Sequence, residues 1–381
     1  MARPLLWLAL LCASLTFTAC AGIHLELTHR THRRLASVSG VTAPVHWAGA
    51  TQYIAEYLIG DPSQPAEAII DSGSNLVWTH SCFPQNLPIY DPSQSHTAQP
   101  VACNDAACAL GSETRCAVLT GYGAGNITGV LGTEVFTLAF GCITATSHAG
   151  LPEQRLGATK FSYCLTPYFS DAANTSHLFV GASAALSGGG APVTSVPFVE
   201  SPSEDPFSTF YYLPLTGITV GETVLDIPAA AFELRQVAPG LWAGTFIDSG
   251  SPFTRLVDVA YQALRAELEQ QLGGSLVRPP AVSVAIGLDL CVASGNSSLV
   301  PQLVLHFGSG GGDVVVPPVN YWAPVDEATK CMVVFSAAGQ NATLPTNETT
   351  VIGNYMHQDM HLLYDLGNGV LSFQTEDCSS M

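Results

Sequence analysis

From about Gln52 to the C-terminus, apolar positions fall in short bursts rather than long stretches. The segments "EYLIG", "AEAIIDSGSNLVWT", "VLGTEVFTLAFGC", "KFSYCL" and "SHLFVGA" are runs of β-branched and aromatic residues, broken by Gly, Pro and Ser. "SGGGAP" and "VESPSEDPF" read as connectors. Strand-like runs then resume in "TFYYLPLTGITVG", "GTFIDSGSPFTRL", "LVLHF", "DVVVP", "CMVVF", "TTVIGNY", "MHLLYDL" and "VLSFQ". One segment follows another period. In "LVDVAYQALRAELEQQLGG", Val257, Tyr261, Leu264, Leu268 and Leu272 recur near helical spacing, and Gly273 marks the stop. The pattern predicts an all-β chain with a few short helices, folded as two lobes joined near 197–207.

Each lobe carries a near-copy of one turn. "IIDSGSN" spans Ile69 to Asn75, and "FIDSGSP" spans Phe246 to Pro252. A single Asp at a strand end is usually a turn residue. Two of them, one per lobe in matching contexts, point to a site where the lobes meet. If Asp71 and Asp248 face each other at hydrogen-bond distance, both cannot ionise cheaply, so they share a proton and titrate as a pair. The charged partner can take a proton from a bound water while the protonated partner donates to a carbonyl oxygen. Gly73 and Gly250 let the backbone approach and donate N–H groups to the carboxylates. Ser72 and Ser249 are placed to bond across to the opposite loop. Ser74 and Ser251 are placed to fix the outer carboxylate oxygens.

Composition narrows the class. With 47% hydrophobic and 11% charged residues, 381 residues can bury large cores, which excludes wholesale disorder. Asp and Glu number 30 against 12 Lys and Arg, so no basic stripe exists to neutralise nucleic-acid phosphates. In acid the carboxylates lose their charge and few basic groups remain to repel one another, a balance that suits an acidic compartment.

The N-terminus reads as a secretory signal over 1–21. Arg3 precedes the apolar run "LLWLALLCASLTFT", and "ACA" (Ala19-Cys20-Ala21) fits the small-x-small cleavage rule. The run is short for a membrane anchor. Nine cysteines follow the signal, an odd number, so one thiol lacks a partner within the chain; in an exported protein the others should form disulfides. Asn126, Asn174, Asn296, Asn341 and Asn347 begin glycosylation sequons. The segment 22–47 holds Arg30, Arg33 and Arg34. It reads either as a solvated basic tail or as a pro-segment remnant whose charges pair with the acidic body at neutral pH.

The motifs resemble those of the pepsin-type aspartic endopeptidases, in the plant nepenthesin-like branch. The resemblance rests on "AIIDSGSNLVWTHSC", "PIYDPSQSHT", "VACNDAACAL", "GYGAGNITGVLGTEVFTLAFGC", "LGATKFSYCL", "FYYLPLTGITVGE", "IDSGSPFTRL", "VIGNYMHQDMHLLYDL" and "FQTEDC", which span most of the chain. It implies a bilobal fold with the cleft between a 48–200 lobe and a 201–381 lobe, and peptide-bond hydrolysis in acid by Asp71 and Asp248 with no metal or cofactor. It implies polypeptide substrates, a monomer, no membrane attachment after signal cleavage, and a secreted or vacuolar location. It makes Tyr122 the flap tyrosine, on a hairpin with Gly123. Trp78 matches a tryptophan that packs near that tyrosine, although ordinary core packing explains it almost as well.

Two departures stand out. The family's first site usually reads Asp-Thr-Gly, and Ser72 keeps only the hydroxyl. Between Cys142 and Cys164, "AFGCITATSHAGLPEQRLGATKFSYCL" lacks the Gly-Leu-Gly-rich segment that threads behind the first turn in relatives, so the N-terminal lobe reads as truncated there. Lobe two keeps its counterpart, "VIGN" (Val351 to Asn354). The alternative is therefore a catalytically impaired binding protein similar to the plant xylanase inhibitors. Other chemistries find less support. "HQDMH" lacks the Glu of a metalloprotease helix, Cys103 and Cys108 lack a second ligand pair, and no nucleophile elbow is present.

Overall fold

The computed structural model describes residues 22–25, 41–48, 52–74, 77–79, 89–104, 116–122, 125–138, 141–143, 159–169, 175–186, 191–308, 310–339 and 342–381. Within them the chain is mostly short strands in two lobes, as the burst pattern predicts. The first half contains β1 (Gly22–Leu25), β2 (Val41–Ala48), β3 (Gln52–Ile59), β4 (Gln64–Ile69), β5 (Val77–Thr79) and β6 (Gln99–Pro100). There follow β7 (Ala117–Tyr122), β8 (Gly125–Thr133), β9 (Phe136–Leu138), β10 (Gly141–Ile143), β11 (Lys160–Cys164), β12 (Ser176–Val180) and β13 (Val193–Pro197).

One ten-stranded sheet spans both lobes. Its order is β10-β9-β3-β2-β12-β11, then the C-terminal strands Met360–Asp365 and Val370–Thr375, then β13, with β4 paired to β3. The C-terminus thus returns to the first half, and the disulfide Cys164–Cys378 (Cα–Cα 5.3 Å) fastens the join. β13 lies between the two connector motifs and pairs antiparallel with Val370–Thr375, which makes that stretch part of the shared sheet.

The largest cluster of buried side chains lies in lobe two and along this sheet. Lobe one contributes two small clusters among the described residues, one around Tyr57, Ile59 and Phe136 and one around Val101, Cys116 and Leu131. The predicted helix forms over Asp258–Leu272 and buries Ala260, Leu264, Leu268 and Leu272. Val257 is its N-cap, and Gly273 closes it at φ +42°, a left-handed value that glycine tolerates best. Tyr261 is only half buried, and Ala260 takes the core position beside it.

Cys291–Cys331 is the second described disulfide. Cys103 is a free thiol, and Cys116 is disulfide-bonded. No helix among the described residues is long and apolar enough to cross a membrane.

Leu264 is fully buried on the core face of the helix. Leu264→Ala is expected to destabilise the protein by about 2–5 kcal/mol, read by denaturant unfolding, whereas Gln262→Ala on the exposed face should fall within about 0.5 kcal/mol of wild type.

Candidate active site

The strand Thr245–Asp248 is buried along its length and ends on Asp248. It pairs in parallel with Thr350–Gly353, so that Asp248 lies opposite Gly353. That position admits no side chain: a Cβ on Gly353 would sit 2.5 Å from the carbonyl carbon of Phe253. The Gly353 N–H donates to Thr254 Oγ1 at 3.1 Å. Asn354 is fully buried; its Nδ2 donates to the Ser249 carbonyl at 2.8 Å, and its Oδ1 accepts from the Tyr168 hydroxyl. The "VIGN" segment therefore holds the second turn from behind, as expected from its sequence.

The first turn is approached through β4. β4 pairs with β3, and the Ile70 N–H donates to the Tyr53 carbonyl at 2.9 Å. No described strand pairs in parallel with β4.

The two turns hold each other. The Ser72 N–H donates to Ser249 Oγ at 3.0 Å, and the Ser249 N–H donates to Ser72 Oγ at 2.9 Å. Inside each turn the pattern repeats. Asp71 Oδ1 accepts from the Gly73 N–H (2.9 Å) and Asp248 Oδ1 from the Gly250 N–H (2.8 Å). Asp71 Oδ2 accepts from Ser74 Oγ (2.5 Å) and Asp248 Oδ2 from Ser251 Oγ (2.6 Å). Each carboxylate also packs over the glycine of the other turn. A Cβ on Gly73 would meet Asp248 Oδ2 at 2.6 Å, and one on Gly250 would collide with the Asp71 carboxylate. The eight residues of the two repeated motifs thus form one constellation with approximate twofold symmetry.

The symmetry breaks at the serine hydroxyls. Ser249 Oγ donates to the Ile70 carbonyl at 2.9 Å, crossing into lobe one. Ser72 instead lies beside the Tyr364 hydroxyl. Tyr364 continues to the Tyr163 hydroxyl (3.0 Å), and Tyr163 to His357 Nδ1 (3.1 Å). Burial holds His357 down to about 3, so it is neutral through ordinary acid and the chain ends on an uncharged ring. Sequence reasoning missed this line of groups, and considered His357 only as part of "HQDMH". No three-residue set of His, Cys, Asp and Glu among the described residues could hold a metal.

Asp248 is buried, and burial pushes its carboxyl up to about 7. The neighbouring Asp71 charge and a direct hydrogen bond between the two carboxyls push the same way; Ser251 and the Gly250 N–H oppose them. Two carboxyls in contact in a buried site disfavour a double negative charge.

Tyr122 ends β7 and pairs with Gly125 of β8, which places it at the tip of a hairpin. Gly123 lies outside the described residues. Trp78 lies in β5.

Residues 53–157 match the domain family described as xylanase inhibitor N-terminal, and residues 210–375 match xylanase inhibitor C-terminal. Aspartic proteinase nepenthesin-1 of Nepenthes gracilis is 34% identical over 92% of this chain and 83% of its own length. The chain belongs to the pepsin-type aspartic endopeptidase family, in its plant nepenthesin-like branch. Another member, Aspartyl protease family protein 2 of Arabidopsis thaliana, is 32% identical over 87% of this chain and 72% of its own. Among solved structures, edgp superposes with a TM-score of 0.67 over 91% of this chain and 97% of its own at 16% identity. Soybean Basic 7S globulin superposes at 0.63 over 89% and 97% at 17% identity. These two likenesses establish the family's bilobal fold.

The raised Asp248 carboxyl has a consequence for stability. An acid whose pKa rises on folding stabilises the protein while it stays protonated. That contribution is complete below the ordinary value of 3.8 and is lost as pH rises through about 7. The melting temperature of wild type relative to Asp248→Asn should therefore fall steadily across that window. A difference that stays constant with pH would contradict the shift.

Proposed function

We propose that the protein is an aspartic endopeptidase that hydrolyses peptide bonds in acid through a water activated by Asp71 and Asp248. The reading rests chiefly on the reciprocal Ser72–Ser249 bonds, which bring the two carboxyls into contact. In the singly protonated pair, the charged carboxyl takes a proton from the water as its oxygen attacks the peptide carbonyl. The protonated carboxyl donates to the carbonyl oxygen, giving a tetrahedral diol. The Gly73 and Gly250 N–H groups and the Ser74 and Ser251 hydroxyls keep the carboxyl planes aligned through the cycle. The hairpin tip that carries Tyr122 is the segment that closes over an extended polypeptide and excludes water. Trp78 and Gly123 belong to the same substrate side. The protein acts as a secreted or vacuolar monomer.

A second reading is a binding protein on the same fold. It is favoured by the domain descriptions, which name xylanase inhibitors, and by the lack of a described parallel partner for the strand entering Asp71. A statine-type transition-state analogue separates the two. The peptidase binds it tightly near pH 4, and a binding protein with an impaired site does not.

The direct test is cleavage of an unfolded protein by purified chain across pH 3–8. Turnover is expected in acid and should fall as pH passes about 7, where the pair loses its shared proton. Asp71→Asn and Asp248→Asn should each lower it by about 10²–10⁴-fold. Activity that persists in both variants would refute the assignment.

A further inference from the structure

The two lobes can be compared strand by strand beyond their turns. In lobe two the strand after the turn, Arg255–Leu256, pairs antiparallel with Thr350–Gly353, and Arg255 faces Val351. In lobe one the strand after the turn is β5, and Trp78 stands at the same offset from Asp71 as Arg255 does from Asp248. The partner of β5 is β1, antiparallel, with Trp78 facing His24. His24 thus holds in lobe one the register that Val351 holds in lobe two. The two partner strands are also equal in length, four residues each.

β1 lies inside its sheet rather than at its edge. On the side away from β5 it pairs in parallel with β8, from Gly22 opposite Gly129 to Leu25 opposite Gly132. β6 and β7 take the other edge of β8. Without β1, β5 would have no described strand partner, and the Gly129–Gly132 edge of β8 would be bare. Unpaired strand edges cost hydrogen bonds and invite pairing with other chains.

We propose that β5 and β8 form a strand-accepting slot in lobe one, and that the chain's own segment Gly22–Leu25 is its resident occupant in the mature protein. The leader is then part of the fold. Signal cleavage after Ala21 would leave Gly22, the first residue of β1, at the new N-terminus. β2 adds a second attachment, since it pairs with β3 and β12 in the shared sheet. The substitution is partial. Thr350–Gly353 also runs parallel to the strand entering Asp248, whereas β1 has no described pairing with β4. The leader completes the sheet beside the first turn without backing the turn itself. The slot recognises extended backbone, so a free peptide with the sequence of residues 22–27 should also enter it once the resident strand is displaced.

Hydrogen exchange on the chain that begins at Gly22 tests this without reference to peptidase activity. Amides of 23–25 should exchange at least about tenfold more slowly than unstructured chain, in step with 129–132. His24→Pro in the full chain, which places proline in a central strand, should accelerate exchange at 22–25, 77–79 and 129–132 together. Adding the free 22–27 peptide to that variant should restore protection at 77–79 and 129–132. Unstructured exchange rates at 23–25 in the unmodified chain overturn the proposal. So does a processed N-terminus beyond Leu25 with 77–79 and 129–132 still protected.

Discussion

The structure turns on one reciprocal contact. The Ser72 and Ser249 backbone amides each donate to the other's hydroxyl, across the boundary between two lobes built from distant parts of the chain. Both serines are buried, so breaking either bond would strand a donor away from water. This contact brings Asp71 and Asp248 together, and the Asp71 charge adds to burial in raising the Asp248 carboxyl. The electrostatics therefore follow from the packing. Burial and proximity raise Asp248, and the glycines at the next positions are needed because the opposite carboxyl occupies the space where a Cβ would be.

The two halves of the contact are supported unequally. Behind Asp248 stand a parallel strand, a glycine that nothing else could replace, and the buried Asn354 amide on the Ser249 carbonyl. Behind Asp71 the described support is β3, through Tyr53. Lobe one is compensated in two ways. Ser249 reaches across to the Ile70 carbonyl, so the better-held turn braces the other. The first turn also rests beside Tyr364 of the shared sheet, which hydrogen-bonds Tyr163 and through it His357, and that sheet is fastened by Cys164–Cys378.

Much of this was legible in the residues. The tetrapeptide Asp-Ser-Gly-Ser at 71 and 248 carries much of its own chemistry, because the N–H and hydroxyl that hydrogen-bond each carboxylate lie within three positions of it. The helix after the second turn was legible because Leu264, Leu268 and Leu272 keep their period to the end. What stayed hidden depends on register between remote strands. Nothing in "MHLLYDL" says that Tyr364 reaches Ser72, and nothing in "GIHL" says that it lies between β5 and β8. The line Thr219–His306–Asp313 (2.6 and 2.8 Å) was hidden for the same reason: it runs across three neighbouring strands of lobe two. The aromatic and histidine positions were visible as residues, but their partners lie far away in sequence.

Two carboxyls that share one proton in a buried site titrate as a pair, unlike two independent ones. Carbon-13 NMR of Asp carboxyl groups, followed across pH in wild type, Asp71→Asn and Asp248→Asn, reads this directly. One carboxyl should titrate far above the ordinary Asp range, near 7. Its resonance should vanish in Asp248→Asn and shift to lower pH in Asp71→Asn, where the neighbouring charge is gone. If every carboxyl titrates in the ordinary range, or if the Asp248 resonance ignores the loss of Asp71, the two turns do not form a proton-sharing pair.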